Sequence, residues 1–384
     1  MTPTTRSRKR TTSDQGEDIA IANVTAQSPS SRKAKKRKDD VDPEQPATAP
    51  EPTSNAMSEE EMALYDRQIR LWGLEAQTKM RTSRILIAGI CGLSNEICKN
   101  IVLAGVGKVT LLDAHSVVER DLGAQFFLTA EDVGKNIAEA AAPRITNLNP
   151  RVHLNTISKD VGSMPNEFFK DFDLVLVAGK VPFATLVRIN NICREQRIKF
   201  ISCAVFGTNG YMFSDLLEYE YVEERNQTTD GVTTVKRTKK SETYCSLETA
   251  RATKFNGMKP KLLKRISPVY FGLQILWEFE DAHKRLPAPD SKEDLESMLA
   301  LRSEYISASG GDVKVMNALI TPDVVRSLAQ EAELELSPVC AIVGGIVSQD
   351  VLNIVSAKEV DVCNFFCFGD TVGGVVKALG AVSS

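Results

Sequence analysis

The sequence predicts a doubly wound, mostly parallel α/β sheet that carries a small inserted region and follows a disordered N-terminal tail. Three observations predict it. Short apolar runs alternate with stretches of helical periodicity, the pattern of strand–helix–strand units. A glycine turn joins the first such run to the first long helix, where sheets of this class cradle phosphates. Composition changes abruptly near Met57. The bulk values of the 384 residues are ordinary for a globular chain, with 42% hydrophobic, 25% charged and a net charge of −3. Length suits two or three domains and a sizeable core. The balanced charge argues against a chain devoted to nucleic acid. No uncharged apolar stretch approaching about 18 residues stands out, so no membrane span is expected. The basic start lacks the apolar core of a secretory signal. The eight cysteines therefore read as reduced thiols rather than a disulfide framework.

Residues 1–57 hold six of the 16 prolines and no Phe, Trp or Tyr. Such a segment cannot bury enough apolar area to offset the entropy of ordering, so it reads as disordered. It carries a net +2, and the remaining residues a net −5. Two basic clusters lie within it, Arg6 to Arg10 and Arg32 to Lys38. Both have the composition of a nuclear-import signal, which predicts a nuclear protein; the alternative is a solvated charge run.

The body, 58–384, opens with Ser58 followed three residues later by Glu61, a capping-box arrangement. Met62, Tyr65, Ile69 and Trp72 then recur at helical spacing. Strands are predicted at Arg84–Gly89, Val109–Asp113, Val152–Ile157, Asp173–Ala178 and Ile198–Val205, with helices at Gly92–Ala104 and Phe183–Glu195. Lys135–Leu148 looks helical but contains Pro143, which predicts a bend or restart. The polar, Thr-rich stretch 226–243 reads as a flexible surface insertion, within a variable region spanning about 215–265. Helices follow at Pro268–His283, Ser291–Ile306 and Pro338–Val355, then strands at Phe365–Phe368 and Val375–Leu379. Gly344 and Gly345 inside the last helix cost stability, which predicts that another backbone packs closely there.

The turn Gly89-Ile90-Cys91-Gly92-Leu93-Ser94 lies between a strand and a helix, where backbone N–H groups and a helix N-terminus face an anion. Asp113 ends the next strand, where an acid would bind ribose hydroxyls. A full G-x-G-x-x-G needs Gly at Cys91 and Ser94 as well. The residues alone leave two readings, a degenerate pocket or productive binding of ATP or NAD.

The run Tyr65-Asp66-Arg67-Gln68-Ile69-Arg70-Leu71-Trp72-Gly73 resembles the entry motif of the ubiquitin-like-protein activating enzymes. Gly73–Gln77 (GLEAQ), Gly123–Phe126 (GAQF), Asn147–Pro150 (NLNP) and Pro338–Gly345 (PVCAIVGG) narrow the resemblance to the small, non-cysteine subunits of SUMO-activating enzymes. It covers roughly 58–380, apart from the insertion. It implies a Rossmann-like, ThiF/MoeB-type adenylation fold, packed in that family as a pseudo-symmetric pair with one active half.

The active half has an all-Gly phosphate turn, Asn-Arg before Gln-Phe, a helical Lys after Val-Gly, and an Asp-Asn pair that helps hold Mg²⁺. Here Gly123 and Ala124 precede Gln125, Ile137 stands at the lysine position, and Gly179-Lys180 follows the later strand. The resemblance therefore implies the inactive half, with Gly89, Gly92 and Asp113 a vestigial cofactor site. No metal would be bound here, and ATP and Mg²⁺ would be held mainly by the partner. The implied partners are the large catalytic-cysteine subunit and SUMO, with no nucleic acid and no membrane.

Arg67 is the residue the resemblance makes catalytic, reaching in trans to ATP phosphates in the partner's site. A guanidinium fork suits phosphate oxygens. Without the family, Arg67 would read as a structural pair of Asp66 or a nearby Glu. Arg70 reads as structural or interfacial, and Trp72 as a packing anchor. Cys91, Cys98, Cys193, Cys203 and Cys340 fall in apolar patterns and read as buried small hydrophobes. Cys245 is a candidate for exposure but lacks a catalytic-cysteine context. Cys363 and Cys367 lack the second cysteine pair that a zinc site needs. His115, His153 and His283 are scattered, without triad or ligand spacing. The alternatives are a self-sufficient homodimeric ThiF/MoeB-type adenylating enzyme and a non-catalytic dinucleotide-fold scaffold.

Overall fold

The computed structural model describes residues 57–229, 232–369, 374–377 and 379. The tail reading lies outside them, as do its basic clusters. After three helices, α1 (Glu59–Leu64), α2 (Asp66–Trp72) and α3 (Leu74–Thr82), the chain enters an α/β alternation. This runs β1 (Arg84–Ala88), α4 (Gly92–Leu103), β2 (Lys108–Leu112), α5 (Ile137–Leu148), β3 (His153–Ile157), β4 (Leu174–Ala178), α6 (Phe183–Glu195) and β5 (Lys199–Phe206). Then β6 (Asn209–Asp215) turns back, and β7 (Glu218–Thr229) with β8 (Val232–Thr243) forms a separate two-stranded sheet. Six helices follow, α7 (Leu247–Arg251), α8 (Pro260–Leu263), α9 (Pro268–His283), α10 (Lys292–Ala308), α11 (Val313–Leu319) and α12 (Pro322–Glu331). The chain closes with α13 (Ser337–Ser356), β9 (Asn364–Phe368) and β10 (Gly374–Lys377).

The main sheet has eight strands in the order β10-β9-β6-β5-β4-β1-β2-β3. Strands β1 to β5 pair in parallel, and β6, β9 and β10 add antiparallel neighbours. Period-two alternation divides the side chains between two cores. Leu86 and Ala88 join Val175, Phe200, Phe213 and Phe365 under α6 and α9. Ile85 and Ile87 join Leu176, Ile201 and Met212 under α4 and α13. Order reverses at β1, which lies between β2 and β4. This switch point is where ligands bind in such sheets.

Several expectations are corrected. The stretch 226–243 is not a loop but most of a β-hairpin, in which Glu218 pairs with Thr243 and Thr229 with Val232. Its Thr and Val content suits a pleated ribbon, and Glu223 meets Lys240 across it at 2.9 Å. The periodic run from 58 to 72 is two helices rather than one, broken at Tyr65 (φ −96°, ψ 13°). The helix with Pro143 neither restarts nor divides; Asn136 caps it and it runs unbroken to Leu148. A proline there forfeits one backbone hydrogen bond, and burial of Ala140, Ala141 and Ile145 offsets the loss.

Strand β6 had no counterpart in the sequence reading. One described helix, α13, is long and apolar enough to cross a membrane by length and composition, although Asp350 interrupts its uncharged run. It is a core helix, with Val343, Val347 and Val351 fully buried.

Candidate functional site

The glycine turn sits at the carboxyl end of β1, at the switch point. Gly89 adopts φ +88°, and a Cβ there would lie 2.1 Å from the Ala178 carbonyl oxygen. Only glycine permits this close approach of the turn to the end of β4. Beyond it, three of the turn's N–H groups already have partners. Ile90 N–H donates to Asp113 Oδ2 at 2.7 Å, and Cys91 N–H to Ser94 Oγ at 2.8 Å. Gly92 N–H, the first of α4, donates to Glu335 Oε2 at 2.9 Å. The space before Gly92 is also filled. A Cβ on Gly92 would lie 2.9 Å from Ala124 Cβ and 3.2 Å from Cys340 Sγ.

Asp113, at the expected ribose position, is buried and braced. Its Oδ1 accepts from His115 N–H at 2.8 Å and lies 2.7 Å from His115 Nδ1. Together with the bond from Ile90, this makes Asp113 a bracket between two loops. Burial holds the Cys91 thiol well above its ordinary range, which keeps it neutral. Lys180 is drawn downward by burial while facing Glu335, and its ammonium donates to Leu334 O at 3.4 Å. Ile137, at the lysine position, is buried in the core. Among the described residues no group of three or more His, Cys, Asp or Glu could hold a metal. A triphosphate with Mg²⁺ needs free N–H donors, cationic side chains and carboxylates in an open turn. The residues here do not fit that group.

The second candidate lies on α2. Its motif neighbours are structural. Tyr65 is buried, its ring lies against Gly105, and its hydroxyl accepts from Asn149 Nδ2 at 2.8 Å. Asn149 Nδ2 also donates to Val102 O at 2.9 Å. Buried Gln77 donates to Ala104 O at 2.8 Å, and Gln68 Nε2 to Leu103 O at 3.4 Å. These bonds satisfy carbonyls at the end of α4 and fix α2 and α3 upon it. Trp72 is partly buried against the same core, as expected of a packing anchor. Arg70 pairs with Asp66 at 3.0 Å across one helical turn. Arg67 is exposed and, among the described residues, has no side-chain hydrogen bond or ion pair. The expected structural partner Asp66 is thus taken by Arg70.

The cysteines follow the sequence reading in part. Cys98, Cys193, Cys203 and Cys340 are buried, and Cys91 is partly so. Cys245 is also partly buried; its Sγ donates to Leu379 O at 2.9 Å, and burial pushes the thiol up to about 11. A nucleophile would need the opposite shift. The residue that sequence reasoning missed is Glu335. Its only signal is an acid three residues before Pro338, which nothing ties to a turn at residue 92.

These features define a dinucleotide-type α/β protein whose own phosphate turn is closed by its side chains. The ThiF family model matches residues 65–379, and the chain belongs to that family. It is similar to SUMO-activating enzyme subunit 1 of Rattus norvegicus, 40% identical over 344 residues that span 84% of this chain and 96% of that protein. The Homo sapiens protein of the same description is 37% identical over 350 residues, spanning 86% and 98%. That of Danio rerio is 38% identical over 340 residues, spanning 83% and 95%. Among solved structures, the crystal structure of SeMet PaaA matches with a TM-score of 0.50 and 17% identity, covering 83% of this chain and 82% of that one, a likeness of fold alone.

Proposed function

We propose that this chain is the non-cysteine subunit of a heterodimeric SUMO-activating enzyme, supporting protein sumoylation. In the complex, ATP and the C-terminal carboxylate of SUMO give an acyl-adenylate and pyrophosphate. The large subunit's cysteine thiolate then displaces AMP to form a thioester. ATP and Mg²⁺ are bound by the large subunit, and Arg67 of this chain reaches their phosphates in trans. The observation that carries this reading is the contrast within one motif: Tyr65 and Gln68 are tied to the fold, while Arg67 is held out with no partner among the described residues. A guanidinium at a phosphoryl centre neutralises charge that builds in the transition state.

A surface for the large subunit is available near the closed turn. Phe126, Leu336 and Ile342 are exposed apolar side chains. A Cβ added at Gly345 would meet nothing within 4 Å among the described residues, so another backbone can approach α13 there. The two basic clusters of the N-terminal segment favour a nuclear address. The closed turn weighs against a self-sufficient homodimeric adenylating enzyme. The test is ATP–pyrophosphate exchange by the assembled complex with SUMO. Arg67→Ala is expected to leave assembly intact and to slow exchange by about two to three orders of magnitude. An unchanged rate would favour the scaffold reading.

A further inference from the structure

We propose that Glu335 is a built-in occupant of the phosphate turn, its carboxylate standing where a nucleotide phosphate would sit and closing this chain's own site. The inference rests on the reading of that site as vestigial and supplies what keeps it shut. Missing residues alone would leave an open, weak anion site, because a helix N-terminus attracts anions whatever surrounds it. Here the first N–H of α4 is taken by Glu335 Oε2 at 2.9 Å. An internal carboxylate is present at high effective concentration, so a free anion must displace it.

The segment bearing Glu335 is laid down firmly as a strap over the carboxyl edge of the sheet. Gly207 N–H, just past β5, donates to Leu334 O at 3.0 Å, and Gly207 forms a parallel bridge with Glu335. Glu331 accepts from Thr208 N–H at 2.8 Å and from Thr208 Oγ1 at 2.9 Å. A Cβ at Gly207 (φ +54°) would lie 2.2 Å from Glu331 Oε2, so the strap needs glycine beneath it. Lys180 holds the same segment through Leu334 O, and its positive charge attracts Glu335 without a direct ion pair among the described residues. The strap, the lysine and the helix N-terminus thus make a matched set around one carboxylate. The same set would otherwise accept a phosphate.

The experiment is thermal unfolding of the full chain with inorganic pyrophosphate as the probe, for the wild type, Glu335→Ala and Glu335→Gln. The wild type is expected to be insensitive to pyrophosphate. Glu335→Ala is expected to lose about 1–4 °C in Tm, the scale of a lost helix cap, and to regain it as pyrophosphate is added. Glu335→Gln keeps an acceptor but loses the charge; it is expected to fall less and also to respond to pyrophosphate, and it serves if the alanine variant does not fold. A wild type already stabilised by pyrophosphate would overturn the vestigial reading itself. Variants with unchanged Tm, or variants that fall without rescue, would overturn the role of Glu335 while leaving that reading intact.

Discussion

The glycine turn and helix α2 are the two regions on which the proposed function turns, and they are built in opposite ways. At the turn, the N–H groups of Ile90, Cys91 and Gly92 are all spent on the chain's own Asp113, Ser94 and Glu335. On α2, Tyr65 and Gln68 anchor the helix and Arg70 takes Asp66, which leaves Arg67 exposed. Satisfying a donor internally removes it from chemistry, whereas leaving an arginine unpaired preserves it for another molecule. The difference teaches that this fold closes one cationic feature on itself and leaves the other turned to solvent.

The comparison breaks most readily at α2. Exchange by the complex is expected to collapse with Arg67→Ala but to change by only about twofold with Arg70→Ala, since an exposed pair one helical turn apart contributes little. Equal losses would mean that the helix, not its free arginine, matters.

A smaller effect tests how the closed half is braced. Asp350 on α13 is buried, its Oδ2 has no hydrogen-bond partner among the described residues, and burial followed by Asp361 pushes its carboxyl up to about 7. Below about pH 4 the folded and unfolded forms both hold the proton. Between there and pH 7 only the folded form holds it, so stability falls as pH rises; above pH 7 the penalty is constant. Asp350→Asn is therefore expected to raise Tm increasingly from pH 4.5 to 7.5, by at most about 4 kcal/mol equivalent. A Tm difference independent of pH would assign the effect to packing.

The smallest effects separate the two adjacent glycines of α13. A Cβ on Gly344 would lie 2.7 Å from Glu96 Cβ, whereas one on Gly345 meets nothing among the described residues. Gly344→Ala is expected to cost about 1–3 kcal/mol of stability. Gly345→Ala is expected to gain up to about 1 kcal/mol in the isolated chain and to weaken assembly with the large subunit. Gain of stability together with unchanged assembly would remove α13 from the interface.

Much of the fold was legible because β1, β2, β4 and β5 are buried and read as plain apolar runs. The capping box at Ser58 and Glu61 was legible for a local reason, both bonds lying within three residues. The hairpin β7–β8 was not, because its polar, Thr-rich sequence carries no apolar run and its strands are defined by cross-strand pairing. The site divided in the same way. Cys91, Ser94 and Ala124 announce a damaged turn on sight, and Arg67 stands out within its motif. The closure itself joins Gly92 to a carboxylate 243 residues away, a contact that no local pattern encodes. Arg67's freedom likewise depends on which arginine Asp66 selects, a matter of helical geometry.

The central claim is that this chain is half of an enzyme whose phosphate chemistry lies on another subunit. ATP–pyrophosphate exchange with SUMO, measured first on the purified full chain and then after adding the large subunit, tests it most directly. The account predicts no exchange from the chain alone and exchange on reconstitution. Exchange by the chain alone would contradict it.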